Sequence, residues 1–362
     1  MTDVFYASES FEGVMSKTNA GGKARSDMDA ILADMGIEPL LVKAVGNRKD
    51  LSAAGKVKSH FDAAKYWKEA VRRLPQGSTI VIQLPSIDHT AFFGSVMKLC
   101  RRRGVKVVII VHDLDTFRMA LTADSGFAGK LRIDLEDKAA INGADVVIVH
   151  NPSMRKLAVE QFGISDSKLV TLGIFDYLSE TAPGAHAERF SLDGPVVVAG
   201  NLSREKAAYL YQLPADTQFA LYGVGVDEGS LGGNVAYRGV YPADELTGIL
   251  SGSFGLVWDG TSAETCAGEY GAYLKINNPH KASLYLASGM PLVVWDQSAL
   301  APFVRERGCG ICVSSLSDLR KTISKLGEQS YARLTDAAAS VGRELVAGQF
   351  TRRAMAEALN RL

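Results

Sequence analysis

No stretch of this sequence approaches the ~20 consecutive apolar residues that a membrane-crossing helix needs. The opening Met1-Thr2-Asp3 lacks the basic and apolar regions of a secretory signal, so a cytoplasmic location is the expectation. An excess of one charge is missing too, because 40 Lys and Arg balance 40 Asp and Glu. That balance argues against nucleic acid as a partner. The one dense basic cluster, Arg101-Arg102-Arg103, reads as the solvated end of a helix, with anionic lipid headgroups as the other reading. Peripheral contact with the inner face of a membrane therefore stays open. Cysteine is scarce, at four residues. Cys309-Gly310-Ile311-Cys312 has no second ligand pair at zinc spacing. It also runs into a strand-like segment instead of opening a helix, so buried, reduced thiols are expected. No G-x-G-x-x-G follows the first strand of either half, which makes a nicotinamide dehydrogenase a poor fit.

What is present is a repeated alternation. A chain of 362 residues is long enough for two domains. Strand patterns fall at 3–8, 38–45, 78–85, 105–111, 144–150 and 168–175, with helix-period segments between them. Met28, Ile31, Leu32 and Met35 share one helical face; 53–74 and 91–103 read as further helices. The unbroken apolar run from Val107 to Val111 suits a strand buried on both faces. The small, polar stretch 178–190, with Pro183 and Gly184, reads as an interdomain linker. Strand patterns then resume at 195–201, 219–223, 235–239, 254–258, 291–296 and 310–314, and the alanine-rich end is helical. The fold class is α/β: two Rossmann-like, doubly wound parallel-sheet domains facing a cleft. The expected bounds are 1–178 and 191–340, with a helix over 341–362 packing back on the first domain.

Ligands of such sheets sit beyond the carboxyl ends of the strands. In the first half those ends carry Asp88 and His89, His112 and Asp113, and His150-Asn151. A histidine beside acids is a usable acid/base set; the bland alternative is that each side chain caps a helix or satisfies loop backbone. Asn19-Ala20-Gly21-Gly22-Lys23 precedes a helix, and its glycine pair would let backbone N–H groups approach a polar ligand. It is not a Walker loop, since Lys23 is followed by Ala24. In the second half, Asn277-Asn278-Pro279-His280-Lys281 opens a segment that stops at Gly289. Asn278 suits an N-cap and Pro279 the first helical position. Lys281 in the first turn opposes the helix dipole, which a bound anion such as a diphosphate would explain; a tolerated surface lysine is the plainer reading.

These residues carry a resemblance. Tyr237-Arg238-Gly239-Val240-Tyr241-Pro242, Phe254 to Trp258, and Pro279-x-Lys281-x-x-x-Tyr285-Leu286-Ala287-x-Gly289-x-Pro291 resemble the donor half of GT-B glycosyltransferases. Lys275-Ile276-Asn277-Asn278-Pro279-His280-Lys281 with Trp258-Asp259-Gly260 resembles a narrower bacterial group. That group holds polysaccharide galactofuranosyltransferases and the adhesin-glycan glucosyltransferases. The segments at 19–24, 111–113, 174–177 and 200–202 are similar to it as well, so the resemblance spans nearly the whole chain. The chain departs from the wider pattern at Leu284, where many retaining enzymes carry a ribose-binding glutamate.

The resemblance implies a UDP-hexose donor, galactofuranose or glucose, and a lipid-linked or protein-linked glycan acceptor. Inversion and independence of metal are expected, with no cofactor beyond the co-substrate. It implies donor contacts from Asn201, Gly223, Arg238, Trp258, Asp259, Tyr273, Lys275, Asn277, Asn278, His280 and Lys281. Asp113 or His112 would act as base, with Asn19, Ala20, Gly21, Gly22, Asp88 and His89 near the acceptor or transferred sugar. A UDP-sugar epimerase and a non-catalytic UDP-sugar-binding subunit are the alternatives. The sequence leaves homo-oligomerisation open.

Overall fold

The computed structural model describes residues 3–10, 20–46, 51–113 and 137–362, and the side chains of residues 10, 20, 21 and 53 are outside that description. The chain forms two compact units. One comprises Met1–Met15, Met28–Leu172 and Thr351–Leu362; the other comprises Ser16–Asp27 and Gly173–Phe350.

The first unit is built on a six-stranded parallel sheet in the order β2-β1-β3-β4-β5-β6. Its strands are β1 (Val4–Ser10), β2 (Glu38–Lys43), β3 (Thr79–Leu84), β4 (Lys106–Val111), β5 (Val146–Val149) and β6 (Leu169–Thr171). Helices α1 (Ala20–Asp34), α2 (Ala53–Arg73) and α3 (Phe93–Arg102) link the first four. Every residue of β3 and β5 is buried, as a sheet covered on both faces requires. Trp67 of α2 meets Phe93 of α3 edge to face at 5.3 Å. Ser52 caps α2 by accepting from the Gly55 amide, and Asn151 caps the Pro152–Phe162 helix by accepting from the Met154 amide. The last turn of α3 carries Arg101 and Arg102, both exposed, while Arg103 donates to the Leu74 carbonyl at 2.7 Å.

The second unit repeats the plan in the order β12-β11-β10-β7-β8-β9. Its strands are β7 (Val196–Asn201), β8 (Phe219–Val224), β9 (Val235–Tyr237), β10 (Gly255–Val257), β11 (Leu292–Trp295) and β12 (Gly310–Val313). Read from β9, this is the 3-2-1-4-5-6 order of the dinucleotide-binding fold, in which the strand order reverses between β7 and β10. In the first unit the reversal lies between β1 and β3. The core of the second unit includes Phe219, Leu221, Phe254, Leu256, Trp258 and Trp295. Tyr285 fixes the sheet from below: its hydroxyl accepts from the Ala199 amide at 2.7 Å.

Three features differ from the sequence reading. The division falls between Leu172 and Gly173, so 178–190 counts with the second unit instead of forming a linker. Its polar groups are used there: the Ser179 and Thr247 hydroxyls lie 2.8 Å apart, and the Gly184 amide donates to the Ser288 carbonyl. The carboxyl-terminal helix is two helices, Glu328–Val346 and Gln349–Asn360. Gly348, at φ 66°, turns the chain between them. Lastly, the helix after the Asn277-Asn278 pair spans His280–Ser288, with Pro279 and not Asn278 in the N-cap position. Its stop at Gly289, φ 85°, is as expected. The four cysteines are free.

Candidate functional site

In the second unit the His280–Ser288 helix begins beside the carboxyl end of β10. Lys281 in its first turn donates to the Asp259 carboxylate at 2.8 Å and to the Trp258 carbonyl at 3.1 Å. Both side chains are largely buried, at 11% and 6% exposure. Burial pulls the Lys281 pKa below its ordinary value, and Asp259 works against that shift. Asp259 therefore supplies the countercharge that the sequence reading assigned to a bound anion. Two ammonium protons are engaged and a third remains for a further acceptor.

The same unit holds polar atoms that are buried and lack a partner among the described residues: Asn277 Oδ1, His280 Nε2, Trp295 Nε1 and Asp296 Oδ1. The His280 ring is wedged against Tyr177, with centroids 5.0 Å apart, and Phe175. Burial lowers its pKa to about 4, so it is neutral at physiological pH. Orphaned buried acceptors and donors are uncommon, and a ligand is one explanation for them. Lys275 is exposed, with its ammonium 5.5 Å from the Trp295 ring.

Other expected donor residues are placed differently. Asn278 is 3% exposed and its amide donates to the Gly173 carbonyl. Trp258 is fully buried, and its indole N–H donates to the Ser262 carbonyl at 2.9 Å; only its main-chain oxygen reaches Lys281. Tyr273 is 5% exposed. Asn201 is exposed at the end of β7, where its side chain accepts from the Ser203 amide. Arg238 is exposed after β9. Gly223 is required by packing: a Cβ there would meet the Gly200 carbonyl oxygen at 1.9 Å.

The sequence reading did not foresee the strap 173–178. Its carbonyls are taken in turn by Asn278 at Gly173, Ser283 at Phe175 and Lys23 at Leu178. Lys23 is 5% exposed and holds Asp27 at 2.6 Å and Asp244 at 2.9 Å. It also lies 4.8 Å from the Tyr177 ring centroid. Asp27 accepts from the Leu178 amide, so the pair grips both polar groups of one residue. The only advance signal was a lysine four residues before an aspartate. Of the preceding glycine stretch, Gly21 and Gly22 lie in the first turn of α1 and Ala20 starts it; Asn19 lies outside the described residues.

In the first unit, His112 and Asp113 follow β4. His112 Nε2 lies 2.6 Å from Gln83 Oε1 on β3, and Gln83 Nε2 donates to Asp29 Oδ1 of α1 at 2.5 Å. Ser8 of β1 donates to the other Asp29 oxygen at 3.2 Å. Asp113 Oδ1 is buried without a partner among the described residues. His150 donates to the carbonyls of Val111 and His112 and is held neutral by burial, with its pKa lowered to about 4. Asp88 accepts from the Val45 amide through one carboxylate oxygen. His89 adopts φ 31° and its carbonyl meets His60. Among the described residues there is no cluster of three or more His, Cys, Asp or Glu able to hold a metal, and no helix long and apolar enough to cross a membrane.

Two Rossmann-type parallel sheets, each with polar groups at its carboxyl edge, are the architecture of the GT-B fold. Solved structures agree on the fold. The chain aligns over 99% of its length, and all of the other's, with a sucrose-phosphate synthase from Thermosynechococcus elongatus, at TM-score 0.64 and 15% identity. With an α,α-trehalose-phosphate synthase from Burkholderia vietnamiensis, full coverage of both chains gives TM-score 0.61 at 12% identity.

Sequence comparison narrows the class. The amino-terminal domain model of the glucosyltransferase 3-like family matches residues 12–174 and the carboxyl-terminal model 196–358. The chain belongs to this family. It is 31% identical over 274 residues, 75% of each chain, to the β-1,6-galactofuranosyltransferase WbbI of Escherichia coli K12. It is 25% identical over 304 residues to glucosyltransferase 3 of Streptococcus parasanguinis, covering 83% of this chain and 84% of the other. The protein is a hexosyltransferase, and the epimerase and binding-subunit alternatives are not favoured.

Proposed function

We propose that this enzyme moves a galactofuranosyl or glucosyl group from a UDP-hexose to a lipid-linked or protein-linked glycan, with inversion and without metal. The observation that carries the donor reading is Lys281. It is a buried ammonium with a spare proton, held by Asp259 at the carboxyl edge of β10, and the same helix start carries Asn277 Oδ1 and His280 Nε2, both without a partner among the described residues. Such a group is suited to the charge that develops on a departing diphosphate. The names of the relatives support the two sugars.

In the chemical step the acceptor oxygen attacks the anomeric carbon and the bond to the UDP oxygen breaks. The acceptor proton passes to His112 or Asp113 at the end of β4. Lys281 balances the charge that leaves with UDP. UDP release would be measured with UDP-glucose and UDP-galactofuranose against a panel of glycan acceptors. Lys281→Ala should lower turnover by about a hundredfold or more, with far-UV dichroism unchanged; full turnover would remove Lys281 from the donor site. Turnover should also survive EDTA, and its loss would reverse the metal-free reading.

A further inference from the structure

The side chains of Ser8, Asp29, Gln83 and His112 form one continuous hydrogen-bonded line across the first unit, from β1 through α1 and β3 to the end of β4. The line crosses the place where the strand order reverses, between β1 and β3, which is where ligands of such sheets bind. Gln83 is 5% exposed and lies on a fully buried strand. A buried amide there is costly unless its hydrogen bonds are made.

The direction of every bond in this line is fixed by chemistry. An ionised carboxylate only accepts. Asp29 receives Ser8 on one oxygen and Gln83 on the other, so the Gln83 atom facing it must be the NH2 group. The Gln83 carbonyl oxygen then faces His112 Nε2 at 2.6 Å. A carbonyl cannot donate, so Nε2 must carry a hydrogen. When His112 is neutral, its lone pair is therefore on Nδ1. The main chain at this point is held as well, because His150 donates to the His112 carbonyl at 3.1 Å.

We infer that Asp29 and Gln83 are positioning residues that lock His112 in its Nε2–H form, and that Nδ1 is the atom that receives the acceptor proton. The functional half of this inference rests on the reading of His112 as the base. The acceptor O–H bond breaks, its proton goes to Nδ1, and the freed electron pair forms the bond to the anomeric carbon. The resulting imidazolium keeps its Nε2–H bond to Gln83, whose amide is polarised by Asp29. Among the described residues, the titratable groups around the line include Asp29 itself, Tyr6 on β1, Asp113 next in the chain and the neutral His150.

The test uses the full-length protein labelled with ¹⁵N-histidine. At a pH above the titration of His112, assigned through His112→Ala, wild-type protein should show a protonated Nε2. Asp29→Asn should move population to the Nδ1–H form, because the substituted side chain can donate and lets the Gln83 amide turn over. A wild-type Nδ1–H form would overturn the inference whatever the activities are. Turnover of UDP-glucose or UDP-galactofuranose supplies the second arm. Gln83→Leu should lower kcat by about tenfold or more, leave the donor KM within about twofold, and move the acid limb of the pH–rate profile to lower pH. Loss of the polarised acceptor destabilises the imidazolium, which sets that direction. An unmoved limb would overturn the positioning role. If Gln83→Leu fails to fold, the same kinetic readings are taken on Asp29→Asn. A His112→Ala enzyme with full turnover would sink the base reading alone, since the tautomer result does not depend on it.

Discussion

At the scale of single residues, the ion pair of Lys281 and Asp259 separates stability from function. Removing the lysine leaves a carboxylate of 6% exposure without its partner. Lys281→Met should therefore cost about 3–5 kcal/mol in urea unfolding. Lys281→Met combined with Asp259→Asn should recover most of that loss without regaining turnover. If the double variant regains turnover, Lys281 serves the fold and not the donor. Gly223 belongs to the same scale. With φ at 142° and the Gly200 carbonyl oxygen 1.9 Å from any Cβ, Gly223→Ala should destabilise the protein by about 3 kcal/mol through overpacking and strain, read as a lowered melting temperature. The sequence made Lys281 legible, since a basic side chain in a helix's first turn asks for a counterion. It could not show that the counterion stands 22 residues earlier, because pairing across strand ends follows from the sheet order and not from local pattern.

Among the elements, the strands were the legible part. Runs such as Val107 to Val111 are buried on both faces, and no local residue competes with that signal. The start of the His280–Ser288 helix was read one residue early, because Asn278 has good capping chemistry. Its amide instead serves the Gly173 carbonyl, a partner 105 residues away. Long-range demand overrode local propensity there. The strap 173–178 was recognisable in part as a motif, but its role was not, since each of its bonds goes to a distant element. Asn278→Ala should leave the Gly173 carbonyl without that donor and cost about 1–3 kcal/mol. Hydrogen exchange should accelerate across 173–178; if it does not, the strap is held by its other bonds.

For the whole molecule, acid is the informative perturbation. His150 is 2% exposed and its pKa is lowered from 6.5 to about 4. Above pH 6.5 it is neutral in both folded and unfolded chains and its contribution is complete. As pH falls from 6.5 to 4, the unfolded chain takes up a proton that the folded one refuses. The stability lost over that window is about 3 kcal/mol, and it levels off below pH 4. His280 is shifted in the same direction, so a buried, neutral histidine is found in each unit. His150→Gln keeps donors for the Val111 and His112 carbonyls and cannot titrate. It should therefore lose less stability than wild type between pH 7 and pH 4.5 in paired urea titrations, and equal losses would contradict the assignment. A different consequence follows from the order in which the chain is made. Thr351–Leu362 belongs to the unit that the first residues begin, and Arg361 there donates to the carbonyl of Leu169 on β6. During synthesis, then, the first unit to emerge is the last to be completed. Its edge strand β6 is complete early, but the Leu169 carbonyl gains its Arg361 donor only after the whole of Gly173–Phe350 has been translated.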